Sequence, residues 1–85
     1  MVFSWVVAWA RYQEAETLAL EIGKLGLAAE SAHNAAMALK NNKKYSRAKA
    51  TLRNIQNRYP TYEPNIVREQ IKDLQSSCPN QYLGC

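Results

Sequence analysis

His33 is the only histidine in the chain, and it is the natural first place to look for catalysis, because imidazole changes charge near neutral pH. A catalytic base needs a nucleophile or an orienting carboxylate beside it, and the residues around His33 supply no such constellation. Metal binding has as little to work with. The two cysteines, Cys78 and Cys85, form no CxxC motif, and one histidine with two cysteines does not complete a zinc site. No metal, no cofactor and no catalytic set is therefore expected, and the reading is not an enzyme. Cys78 and Cys85 either stand as free thiols or close a small terminal ring. The loop-entropy model values such a ring at roughly 2–3 kcal/mol, restraining the tail and not the core. The redox compartment is left open.

Charge offers a second chemistry. The net charge of +4 is unevenly placed. Residues 40–58 hold Lys40, Lys43, Lys44, Arg47, Lys49, Arg53 and Arg58 with no acid, whereas the flanking segments are weakly acidic. Such a band gives nonspecific affinity for phosphate, so binding of nucleic acid or acidic lipid through residues 40–58 is an alternative function. Tyr45 is the only aromatic residue among these charges before Tyr59, its spacing commits it to an apolar stripe, and no recognised reading module is present. A solvated surface or an acidic protein partner is the favoured role for Lys43, Lys44, Arg47, Lys49 and Arg53.

The third chemistry is hydrophobic. Phe3, Trp5, Val6, Val7 and Trp9 crowd one short segment, and on a helix they point in every direction. A small helical protein covers one side of such a segment and leaves the other exposed. Tryptophan is enriched in binding hot spots, so Phe3, Trp5, Val6 and Trp9 are candidate partner contacts. The plainer alternative is that the last helix or the tail folds back over them. Val2 to Ala10 also resembles the apolar core of a signal peptide, with Ala8-Trp9-Ala10 as a small-x-small site. But no positive charge precedes it, and it falls far short of the roughly 20 residues of a membrane span. A packed helix end is expected, with a cytoplasmic location favoured over a secreted or periplasmic one.

These residues must be carried by helices. Eighty-five residues make at most one domain with a thin core. Only three Gly and three Pro interrupt long stretches of Ala, Leu, Lys, Gln and Glu, which lose little freedom in a helix. The expected class is all-α: about four helices joined as short antiparallel hairpins over residues 1–76, with 77–85 as a flexible tail. The first runs from about Ser4 to Lys24, with Gly23 and Gly26 flanking its stop. The second spans Ala28 to Asn41 and packs through Ala28, Ala29, Ala32, Ala35, Ala36 and Leu39. The third begins near Lys44, carries the stripe Tyr45, Ala48, Leu52, Ile55 and Tyr59, and is stopped by Pro60. The fourth starts at Pro64 and buries Val67, Ile71 and Leu74, with Ile66 at its edge.

The 34-residue window from Ala29 to Tyr62 resembles one repeat of the tetratricopeptide family. Ala32, Ala35, Ala36 and Leu39 occupy the slots of the first-helix pattern. Tyr45, Ala48, Leu52 and Pro60 occupy those of the second helix and its end. A partial copy lies 33 residues upstream, where Arg11-Tyr12-Gln13-Glu14-Ala15 parallels Lys44-Tyr45-Ser46-Arg47-Ala48. That parallel predicts that the first helix buries Tyr12, Ala15, Ala19 and Ile22. The resemblance implies an α-solenoid fragment with Pro64–Ser76 as its cap. It also implies a non-enzymatic adaptor, small chaperone or complex subunit, holding a partner helix or extended segment or associating with itself. Its inner face would present His33, Met37 and Lys40 to that partner; the plainer reading of His33 is a solvent-facing helix residue. The Trp slot holds Ala32 and the Gly slot holds Ala36, so the match rests on small residues and Pro60.

Overall fold

The computed structural model of the chain describes residues 5–77. They form four helices and no strand: α1 (Trp5–Glu21), α2 (Leu25–Asn41), α3 (Tyr45–Arg58) and α4 (Pro64–Ser77). Each helix packs on the next in chain order, and no other pair comes into backbone contact. The result is a slab 17 Å thick in its shortest dimension. Among the described residues no helix is long and apolar enough to cross a membrane. Phe3, Cys78 and Cys85 lie outside the described residues.

The first two connections are the same turn built twice. At the end of α1 the Lys24 N–H reaches the Ala19 carbonyl at 2.8 Å and the Gly23 N–H reaches Leu20 at 3.1 Å. At the end of α2 the Lys44 N–H reaches Leu39 at 2.9 Å and the Lys43 N–H reaches Lys40 at 3.0 Å. This paired closure of the last carbonyls is the Schellman motif, which needs a left-handed residue at its centre. Gly23 supplies it at φ 76° and Lys43 at φ 61°. Lys24 and Lys44 then also precede the next helix, their carbonyls accepting from the Ala28 and Ala48 amides. A 20-residue shift therefore superposes Ala19, Ala28, Ala32, Ala35 and Leu39 on Leu39, Ala48, Leu52, Ile55 and Tyr59, and every one of them is buried. Pro60 breaks this rhythm, and the third connection takes another path to Pro64.

The boundaries correct two expectations. Gly26 does not flank the stop of α1; it lies in the first turn of α2, which begins at Leu25 and not at Ala28. Because the motif closes on Gly23, Ile22 is carried outward and is 65% exposed, so it takes no part in the buried stripe. The stripe that α1 turns inward is Trp5, Trp9, Tyr12, Glu16 and Ala19, with only Ala19 fully covered.

The core holds to the expected small-residue plan. Ala28, Ala36 and Ala48 have no exposed surface, and Leu39, Leu52, Ile55, Val67 and Leu74 close around them. A side chain one methyl group long lets two helix backbones approach closely, and the larger residues beside it fill the remaining space. Tyr45 leans on this core, while Ile66 lies on the outer side of α4 and is half exposed.

Candidate partner-binding cleft

Trp5 and Trp9 lie one helical turn apart on the inner side of α1, with ring centroids 6.4 Å apart and planes tilted by 56°. Both are partly buried against the core. The cover among the described residues comes from the start of α3 and not from α4; the tail beyond Ser77 lies outside the described residues. The Lys44 ammonium lies 5.3 Å from the Trp5 ring centre, and the Arg47 guanidinium lies 5.4 Å from Trp5 and 5.0 Å from Trp9. Cations at this range are attracted to the electron-rich ring faces. The apolar segment and the basic band, separate in the sequence, thus meet at one edge of the slab. Val6 and Val7 face outward beside it, 46% and 49% exposed.

The rest of the band is more dispersed. Lys40 and Lys49 are half-buried, while Lys43 and Arg53 are exposed. Among the described residues none of Lys40, Lys43, Lys44, Arg47, Lys49 and Arg53 forms an ion pair with an acid. Arg58 alone of the seven does, at 3.5 Å from Glu16.

From Trp9 a cleft of about 250 Å³ runs between α1 and α3. Its floor is Ala32 and Ala35 of α2, whose short side chains leave the space, and Ile55. Its rim is polar: Gln13 and Glu16 from α1, Thr51, Asn54 and Arg58 from α3, and Tyr59. The Tyr59 hydroxyl donates to the Glu16 carboxylate at 2.6 Å. Burial, reinforced by that carboxylate, holds the Tyr59 phenol above its ordinary value, and Arg58 opposes the shift. Glu16 is consequently an anchored acceptor. With a side chain 17% exposed, it ties α1 to the end of α3, which the backbone packing does not.

The opposite side of α2 is already occupied. His33 Nε2 lies 2.7 Å from the Gln70 amide oxygen, and the Tyr62 hydroxyl lies 3.5 Å from His33 Nδ1. With its hydrogen on Nε2, the ring donates to Gln70 and accepts from Tyr62. The Gln70 amide nitrogen in turn donates to the Met37 sulfur at 3.8 Å. His33 is thus part-buried and internally bonded, not the solvent-facing residue of the plainer expectation, and its ring packs 5.7 Å from that of Tyr62. Tyr62 too is raised above the ordinary phenol value, by burial first and then by Glu30 and Glu63. Of His33, Met37 and Lys40, the first two serve the side-chain contact between α2 and α4, and Lys40 is half-buried with no such tie among the described residues. Among the described residues no group of three or more His, Cys, Asp or Glu is placed to hold a metal ion.

Comparison with known proteins adds no relative: no family model matches the chain, and neither does any curated protein or solved structure. Sequence reasoning missed the cleft because it took the α1 stripe as Tyr12, Ala15, Ala19 and Ile22. The signal was present as the lone acid Glu16, spaced by four from Tyr12 and by three from Ala19 on the face that carries both Trp residues.

Proposed function

We propose that this chain is a non-enzymatic protein-interaction module: a short tetratricopeptide-like adaptor, small chaperone or complex subunit that holds a segment of a partner protein along the α1/α3 edge. The observation that carries the reading is the cleft. It is open to solvent, apolar at its floor, polar at its rim and walled by Trp9. A cavity of ~150 Å³ accommodates benzene, so this one has room for a large partner side chain. Trp5, Trp9, Lys44 and Arg47 extend the surface beyond the mouth, combining the aromatic and arginine character that concentrates binding energy. The open slab supports the same reading, because helices stacked in single file leave long faces uncovered, as solenoid scaffolds do.

A second reading has its own support. Lys40, Lys43, Lys49 and Arg53 lack acidic partners among the described residues, which suits an anionic polymer or lipid surface. Lys44 and Arg47 are partly committed to the Trp rings. Salt separates the two readings, since contacts to phosphate weaken steeply as salt rises and a packed side chain in a cleft does not. The test places a bulky residue in the cleft mouth at Gln13 or Asn54, both exposed. Gln13→Trp and Asn54→Trp should abolish partner capture with the fold intact. Capture that survives both changes but vanishes in moderate salt would transfer support to the anionic ligand.

A further inference from the structure

The outer face of α1 carries a pattern that complements itself. Val7, Arg11, Glu14 and Leu18 follow at spacings of four, three and four, which sets them in one line along the helix. That line lies opposite the inward stripe of Trp5, Trp9, Tyr12, Glu16 and Ala19. All four residues are exposed, Leu18 at 61%. Arg11 and Glu14 form no ion pair within the described residues. Beside the line a shallow trough is lined by Ala10, Gln13, Glu14, Thr17 and Leu18, of which Ala10 and Thr17 are small enough to admit a neighbouring helix ridge.

Read from either end, the line runs apolar, charged, oppositely charged, apolar. We propose that two copies of this chain pair through this face, with their α1 helices antiparallel and a two-fold axis passing between positions 12 and 13. In that register Val7 of each copy meets Leu18 of the other, and Arg11 of each meets Glu14 of the other. The contact is isologous, so every favourable pair occurs twice. Glu14 would face its own copy if the axis lay one or two residues further along, and that repulsion sets the register. The paired line runs only from Val7 to Leu18, about three turns of one helix, so the dimer is weak and reversible. The pairing face shares only Gln13 with the cleft rim; Arg11 and Glu14, which set the register, do not line the cleft, so their variants test pairing independently of what the cleft holds.

The test is sedimentation of the full chain over a wide range of concentration, with circular dichroism to verify the fold. Wild type should pass reversibly from one chain to two. Arg11→Glu and Glu14→Arg should each weaken pairing by roughly tenfold or more, because each sets like charges against one another twice. Combining both changes in one chain should restore pairing. Mixing the two single variants should produce a heterodimer, since the acidic line of one then faces the basic line of the other. A wild type that stays monomeric overturns the proposal. So does a dimer that both single variants retain, or a double variant or mixture that shows no recovery while its helicity is normal.

Discussion

Replacing Ala48 by Leu tests the close approach of α2 and α3, on which the slab depends. Ala48 has no exposed surface, and the residues around it in the core, among them Ala36, Leu39, Leu52 and Ile55, are buried to within 1%. Three added carbons therefore find no space, and the helices must separate or side chains must leave their preferred rotamers. Such overpacking costs about 1–3 kcal/mol. A chain of this length has a total stability of about 4–13 kcal/mol, so the loss is a substantial share of it. In a domain this small each kcal/mol moves the melting temperature by about 4–8 °C, which places the expected fall between about 4 and 24 °C. Ala50 lies on the exposed side of the same helix. Leu is nearly as good a helix former as Ala, so Ala50→Leu should change stability by no more than about 0.5 kcal/mol. Circular dichroism melts of both variants beside wild type supply the comparison. Equal shifts, in either direction, would refute the reasoning that Ala48 is a contact point.

Three further changes probe the turns and the side-chain ties. Lys43→Gly should raise stability by about 0.5–1 kcal/mol in denaturant titrations, because Lys43 sits at φ 61° where glycine is free of strain. Gly23→Ala should lower it by about 1 kcal/mol although nothing lies within 4 Å of the added carbon, since φ 76° alone carries the cost. Tyr59→Phe should cost about 1 kcal/mol near neutral pH by leaving Glu16 without its hydroxyl donor. The pH dependence has a fixed sign. The folded phenol titrates above its unfolded value of about 10, so the stability it contributes is complete below pH ~10 and is lost as pH rises through the folded value. Tyr59→Phe should flatten part of that alkaline fall, and Tyr62, raised first by burial as well, contributes another part.

The all-α class, the four helices and most of the core were legible because helical spacing and small residues leave a direct trace in sequence. Ala36 and Ala48, the stripe Leu52–Ile55–Tyr59 and the trio Val67–Ile71–Leu74 are all buried as their spacing requires. The α1 stripe was not legible in the same way. Tyr12, Ala15, Ala19 and Ile22 fit the helical period as well as Trp5, Trp9, Tyr12, Glu16 and Ala19 do. The choice between them is made by the turn at Gly23, which carries Ile22 outward. The 20-residue recurrence was obscured because Lys43 fills the left-handed position that Gly23 fills in the first turn, so the two motifs share geometry and not residue type. The contact of Lys44 and Arg47 with Trp5 and Trp9 spans some 40 positions of sequence. Only the folding of α3 back along α1 brings charge and ring together.

The central claim, that the cleft between α1 and α3 holds a partner segment, is tested most directly by affinity capture from the source cells at moderate salt, with wild type, Gln13→Trp and Asn54→Trp side by side. The account predicts one partner recovered in stoichiometric amount with wild type and lost with both variants, while their melting temperatures stay close to that of wild type. Equal recovery of the same partner by all three proteins would contradict it.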